Sequence, residues 1–444
     1  MDKAHREELA GRVLAFSGAD QTEALVSSSK SELTRFTHNA IHQNVAQSDI
    51  SLSVRAIIGG RTGVARTNVL DEAALKACVD RAIALAKLAP VDPQQPALPA
   101  VARAPQTPPG AYETSTEQAT PQRRAGMCEA MFAVADAGGL WSAGYATTGA
   151  SGITIANSNG TLASFDGTDA GVNIKMNAAD SSGYAEAYRN DVAAIDAGAV
   201  ATVSAKKARA SAHPRAVEPG EWTVILEPAA FGELFAYLTG HFSAQSFDEG
   251  SSFLSDGLDK RYLGDNVTIR DDYGHPLAPG MPFDYEGQPT ERLAIVENGV
   301  ARSIVTDSYW AHKLQRENTG HAPPAPNAYG PHAVHLVVDP GSKPAAQLIA
   351  ETERGLLISR FWYIRTVDQR QAIVTGMTRD GTFLIENGKI AGGVRNMRFN
   401  QSLLESLRHC EFSSELERTG NYDYSMVVPT AKIRAFTFSS GTDF

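Results

Sequence analysis

The stretch Thr223-Val224-Ile225-Leu226-Glu227-Pro228 reads as a β-strand that stops at a proline. A proline has no N–H for a strand ladder, so it ends the run rather than extending it. The next residues are Ala229-Ala230-Phe231-Gly232-Glu233-Leu234-Phe235-Ala236-Tyr237-Leu238-Thr239-Gly240-His241-Phe242, and they read as a helix. This strand-to-helix step is the firmest local feature of the chain, and the remainder is organised around it.

Downstream of residue 221 the pattern is mostly β. Ala294-Ile295-Val296-Glu297-Asn298-Gly299-Val300-Ala301 and Phe383-Leu384-Ile385-Glu386-Asn387-Gly388-Lys389-Ile390 each give a strand, an Asn-Gly turn and a returning strand. Asn-Gly suits such hairpins because both residues tolerate positive φ. Two copies reflect hairpin chemistry and do not make a repeat architecture. Residues 344–355 and 401–408 read as helices, and 321–331, with four prolines, as a long loop.

Upstream, residues 214–220 form a break and 196–210 a helix. Strands at 152–157 and 162–166 meet through Asn157-Ser158-Asn159-Gly160, after a helix at 121–137. Between 89 and 109 the chain turns to Pro, Ala and Gln, as a linker or surface strap does. Before it, Asp71 caps a helix running to Leu88. Residues 33–39 and 50–58 read as strands, the second alternating apolar and polar positions, with a turn at Gly59-Gly60-Arg61-Thr62-Gly63. The opening to Phe16 and residues 21–28 read as helical or as helix-to-strand transitions. The expected fold class is α+β: an N-terminal α/β part at 1–90, a Pro-rich linker at 91–110, a middle α/β segment at 111–215, and a β-rich part at 220–444.

The chain has 444 residues, 43% hydrophobic and 20% charged, which allows substantial cores. With 40 Lys and Arg against 50 Asp and Glu, the net charge is −10. Such a balance opposes nucleic-acid binding, and the longest basic run, Lys206-Lys207-Ala208-Arg209, is short. No apolar stretch approaches the roughly 18 residues a membrane span needs, and the charged opening Met1–Glu8 lacks a signal-peptide core. Cys78, Cys128 and Cys410 are odd in number and widely spaced, which suits buried reduced thiols in a cytoplasmic protein.

Taken in order along the chain, the sequence resembles the TldD/PmbA family, also called modulators of DNA gyrase. The resemblance rests on Thr34-Arg35-Phe36 with Asn39, Val54-Arg55, Gly59 to Ala65, Thr67-Asn68 and Leu70-Asp71. It continues through Leu226-Glu227-Pro228, the helix after it, and both Glu-Asn-Gly hairpins. Catalytic members of that family are zinc metallopeptidases with an HExxxH motif on this helix, two imidazoles holding the metal and the glutamate serving as base. The resemblance places the first His at Ala236, the Glu at Tyr237 and the second His at His241. A methyl group has no lone pair for zinc, and a phenol is a poor base at neutral pH. The family's C-terminal cysteine thiolate has no counterpart in Thr419-Gly420-Asn421-Tyr422-Asp423-Tyr424-Ser425.

That pattern implies the PmbA (TldE-like) branch, whose members lack the motif and pair with a TldD-like catalytic subunit. The expectation is then no catalytic residue, metal or cofactor in this chain, zinc in the partner, and unfolded peptide as substrate in a shared chamber. His241 reads as an imidazole that packs or caps. Two rivals stand beside this: a stand-alone peptidase or peptide-maturation enzyme using other residues, and a homodimeric peptide-binding protein.

Other candidates have plainer readings. His332 and His335, with His321 and His312 upstream, have metal-like spacing, but 333–339 reads as a strand that would turn the two to opposite faces. His38 and His42 lack a third ligand nearby. Asp248-Glu249 and Asp271-Asp272 read as solvated pairs, and Asp256-Gly257-Leu258-Asp259 lacks calcium-loop spacing. No Walker, GxGxxG or GxSxG pattern is present. Tyr309-Trp310 and Phe361-Trp362-Tyr363 read as core aromatics, with an interface as the alternative.

Overall fold

The computed structural model describes residues 1–102, 104–420 and 425–442. Helix α1 (Lys3–Phe16) starts on Asp2, whose carboxylate accepts the His5 N–H. Strands β1 (Gln21–Thr37), β2 (Ala40–Ile58) and β3 (Arg61–Thr67) follow as a meander. Helix α2 (Glu72–Leu88) starts on Asp71, as the sequence predicts. After the short α3 (Thr114–Glu117) comes α4 (Pro121–Ala137), then β4 (Trp141–Asn157), β5 (Leu162–Asn177), β6 (Ser182–Arg189) and α5 (Ala197–Ala210).

Residues 21–28 are strand, not helix. Ala24, Val26 and Ser28 turn inward at every second position, the period of a strand. The strands read at 50–58, 152–157 and 162–166 are likewise portions of longer ones, and the one read at 33–39 ends at Thr37, where His38 and Asn39 turn with positive φ. All six strands form one antiparallel sheet in the order β3-β2-β1-β4-β5-β6, so residues before and after the proline-rich stretch share it. The stretch itself is pinned along that sheet. Leu98 N–H donates to Gln21 Oε1, Val101 N–H to Thr161 Oγ1, and Asn157 Nδ2 to the Pro99 carbonyl.

The two faces of this sheet differ. One carries Ala24, Val26, Leu52 and Val54 against α1 and α2, and Phe36, Ala146, Val172 and Ile174 against α4 and α5. Among the described residues, no helix of the first half packs on the opposite face. Its cross-strand rows are Thr37–Ala143–Lys175–Tyr184, then Arg35–Tyr145–Asn173–Glu186, then Ser31–Gly149–Asp169. That face looks toward the second half of the chain.

The second half opens with β7 (Gly220–Leu226) and α6 (Pro228–Phe235). The helix does not run on to Phe242. Residues Ala236–Phe242 tighten to 3₁₀ geometry, where the Thr239 hydroxyl donates to the Ala236 carbonyl and Gly240 gives no helical support. Then come α7 (Ala244–Asp248), β8 (Ile269–Asp271), β9 (Leu293–Glu297), β10 (Val300–Ala301), α8 (Ser308–Leu314) and β11 (His335–Val338). Helix α9 (Ala345–Ala350) is shorter than the predicted 344–355, because Arg354 already begins β12 (Arg354–Asp368). Strands β13 (Ile373–Glu386), β14 (Lys389–Gly393) and β15 (Met397–Ser402) lead to α10 (Leu403–Arg408), β16 (Cys410–Gly420) and β17 (Ser425–Gly441).

The two Glu-Asn-Gly turns have the positive φ that the sequence predicts, 49° and 77° at Asn298 and Gly299, 52° and 74° at Asn387 and Gly388, whereas at Asn159-Gly160 only the glycine does, at 93°. Strand β7 pairs with β12 on one side and with β17 on the other, and β17 reaches β12 through β15 and β13. Those five strands therefore close into a ring. Phe361, Phe399 and Phe436 pack inside, with ring centroids 4.8 to 5.8 Å apart. The architecture is α+β throughout.

Candidate functional site

Helix α6 is held close to β16 by composition. A Cβ at Gly232 would lie 2.4 Å from Thr419 Cγ2, so only glycine permits this approach. One residue on, Glu233 turns to β12. Its Oε1 accepts from Arg360 Nη2 at 3.1 Å and its Oε2 from the Phe361 N–H at 2.6 Å. Burial pushes the Glu233 carboxyl up to about 7, against the pull of Arg360.

The Arg360 guanidinium also covers the Tyr184 ring, 4.3 Å from its centroid. Tyr184 donates its hydroxyl to Glu186, and Thr419 Oγ1 donates to the other Glu186 oxygen at 2.6 Å. Burial raises Glu186 as well, while Thr419 and Tyr184 oppose it. Two half-buried carboxylates thus lie near one arginine, with two hydroxyls on Glu186, where the halves of the chain meet.

The motif positions lie on the turn after Glu233. Ala236 offers a methyl group. The Tyr237 hydroxyl donates to the Ile364 carbonyl at 2.6 Å. His241 is 1% exposed, its Nδ1 accepts the Phe253 N–H at 3.3 Å, and its ring lies 5.0 Å from that of Phe253. Burial lowers its pKa to about 4, so it is neutral at neutral pH. As a ligand set for zinc these three side chains do not fit: one has no donor atom, and the other two are engaged elsewhere. Of the stretch matched to the family's cysteine, Thr419, Gly420 and Ser425 are in place, while residues 421–424 lie outside the described residues. Among the described residues, no group of three or more His, Cys, Asp or Glu side chains has metal-holding geometry.

A cleft runs between the helix-free sheet face and the second half. Over Ser29, Ser31, Gly149 and Asp169 it opens into a cavity of about 460 Å³ roofed by His275, His335 and Arg418. Arg418 is tied to Asp169 and donates to Asn190 Oδ1 at 2.8 Å. Over Thr37, Tyr145 and Lys175 a second cavity of about 560 Å³ is walled by Arg360 and Trp362. The Tyr145 and Tyr188 hydroxyls meet at 2.9 Å on the sheet between them.

The other sequence candidates fall elsewhere. His332 precedes β11 rather than sharing it with His335, which changes the strand-based reading of the pair. Asp271 and His321 are buried together, His335 is half-buried beside them, and His332 is exposed. Asp271 Oδ2 accepts the Val334 and His335 N–H groups at 2.9 and 3.1 Å and lies 3.7 Å from His321 Nε2. Burial pushes Asp271 up, but hydrogen bonding and His321 outweigh it and hold the carboxyl below its usual range. Asp271 is thus no solvated partner of Asp272, which faces Arg292 at 2.5 Å. His312 is exposed on α8, and His38 stacks on Trp141 at 4.6 Å while His42 is exposed. Asp248 pairs with Lys313, Asp256 with Arg370 and Asp259 with Arg302, all at the surface. The three cysteines are buried, with Cys128 and Cys410 raised to about 12 by burial. Phe361 and Trp310 are core, but Trp362 and Tyr363 are 41% and 64% exposed. Sequence reasoning missed Glu186, Glu233 and Arg360; the charged residue before three aromatics at 360–363 was the available signal.

The model of the PmbA/TldA metallopeptidase C-terminal domain matches residues 219–440, and that of PmbA/TldA metallopeptidase domain 1 matches residues 22–86. The chain belongs to the PmbA/TldD family. It is 29% identical over 228 residues to metalloprotease PmbA of Escherichia coli O157:H7, covering 50% of this chain and 47% of that protein. With the metalloprotease PmbA homolog of Haemophilus influenzae it shares 31% over 211 residues, covering 46% and 44%. The match spans about half the length of these curated relatives. The crystal structure of TldE from Thermococcus kodakarensis superposes with a TM-score of 0.88 at 20% identity, over 98% of this chain and 99% of that one.

Proposed function

We propose that this chain is the non-catalytic subunit of a PmbA/TldD-type peptidase complex that processes unfolded peptides in the cytoplasm. The observation that carries the reading is the use made of the motif positions. Ala236 has no donor, Tyr237 is spent on Ile364, and His241 is spent on Phe253. The zinc motif is degenerate, and zinc belongs to a TldD-like catalytic partner.

Two further features support an assembly around peptide. The cleft between sheet and second half offers a wall for a shared chamber. In β2, residues 40–51 pair with β1 on one side, and β3 pairs only with residues 52–58. The other edge of 40–51 is left without a strand among the described residues, and backbone pairing to it would be indifferent to sequence. Co-purification with an HExxxH relative from the same genome, followed by a peptidase assay, tests the reading. A stable pair more active than the relative alone supports it; no complex and no gain in activity refutes it.

One observation favours a second reading, a stand-alone enzyme using other residues. Glu233, held near 7 beside the cleft, has the protonation balance of a general acid or base. Peptide cleavage by the isolated chain, abolished in Glu233→Gln, would establish it.

A further inference from the structure

The 560 Å³ cavity has an unusual charge for its host. The chain carries a net charge of −10, yet among the described residues the ionisable side chains lining this cavity are Arg35, His42, Lys175 and Arg360 with two tyrosines, and none is a carboxylate. Lys175 and Arg360 are balanced from outside the lining by Asp380 at 2.9 Å and Glu233 at 3.1 Å. Arg35 is different. It is exposed, and among the described residues its side chain has neither a hydrogen bond nor an ion pair.

The floor is shaped for a chain rather than a compact ligand. It crosses β2, β1, β4, β5 and β6, five strands at about 4.8 Å spacing, or roughly 19 Å in all. About six extended residues span that length. Ala143, Gly144 and Asn173 keep the floor low, and Trp362 stands at the wall, 41% exposed.

We infer that this groove receives an extended peptide and that Arg35 holds one of its carboxylates. The inference deepens the peptide-handling reading above and rests on it, adding a charge preference. Guanidinium is suited to the task because its planar fork matches a carboxylate with two parallel hydrogen bonds. The carboxylate comes from an acidic side chain or from the free C-terminus, chemistry that Arg35 meets identically.

Fluorescence anisotropy with the full chain tests it using labelled unstructured peptides in two pairs. One pair compares an Asp-containing peptide with its Asn analogue, both amidated at the C-terminus. The other compares free and amidated C-termini on a peptide without acidic residues. We expect at least one acid form to bind roughly tenfold tighter than its neutral mate, and Arg35→Gln to erase the difference. Whichever pair discriminates names the source. Arg35 has no side-chain partner to lose among the described residues, so the variant should melt like the parent, and Arg35→Lys should recover part of the preference.

Equal binding within both pairs overturns the inference while leaving peptide handling intact. Discrimination that survives Arg35→Gln overturns it as well. Failure of every peptide to bind, with or without a catalytic relative, overturns both. Displacement by a short DNA oligonucleotide at lower concentration than by the acidic peptide would assign the groove to a polyanion instead.

Discussion

The Tyr237 hydroxyl donates a 2.6 Å hydrogen bond to the Ile364 carbonyl, tying the turn after α6 to the middle of β12. The Tyr237 side chain is therefore a brace. Removing the hydroxyl deletes one of two hydrogen bonds to this carbonyl, which keeps Arg365 Nη1 at 2.7 Å, at a cost of about 1 kcal/mol. We expect Tyr237→Phe to lower the melting temperature by a few degrees and to leave any partner-dependent peptidase activity unchanged. Thermal unfolding and the assay of the assembled pair check the two halves of this expectation.

Glu233 gives stability a pH dependence of definite sign. Its folded pKa, about 7, lies above the usual 4.5. Between those values the folded state holds a proton that the unfolded state has released, so stability falls as pH rises through this window. Glu23, Asp169 and Glu186 are raised by burial too and act in the same direction. Melting temperatures should be lower at pH 8 than at pH 5.5, and Glu233→Gln should flatten the slope. A steeper slope in the variant would contradict this account.

His241 works in the opposite sense. Its folded pKa, about 4, lies below the usual 6.5, so on acidification the unfolded state takes up the proton first. Its contribution to stability is present above 6.5 and is lost as pH falls toward 4. We expect His241→Phe to remove that acid sensitivity, while His241→Ala costs about 2–4 kcal/mol through the cavity left beside Phe253. Metal analysis should show no change in either variant.

These side chains also mark how far the sequence could be read. Turns and helix starts were legible because they depend on single residues: Asp71, Asp196 and the two Glu-Asn-Gly turns do locally what their chemistry dictates. Strand β2 was half hidden. Residues 40–49 are exposed on both faces, so no alternation of apolar and polar residues announces them. The Glu186–Arg360–Glu233 network was hidden for another reason. It joins β6, β12 and α6, and only the docking of the two halves makes neighbours of them. The partners that occupy Tyr237 and His241 were equally hidden, since they come from β12 and from the 3₁₀ turn at Phe253–Asp256.

The approach of α6 to β16 is the packing contact on which that network depends, and it can be tested as a pair. In Gly232→Ala the new methyl would sit 2.4 Å from Thr419 Cγ2, and the stiff β-branched side chain cannot swing aside without moving the hydroxyl that Glu186 accepts from. Overpacking of this kind costs about 1–3 kcal/mol. Thr419→Ser deletes the offending methyl and keeps the hydroxyl, so alone it should cost little. If the contact is the cause, Gly232→Ala with Thr419→Ser should recover about half or more of the lost stability, a coupling of about 1 kcal/mol in a double-mutant cycle. Additive effects would mean that Gly232 is needed for the backbone of α6 rather than for the room it leaves to Thr419.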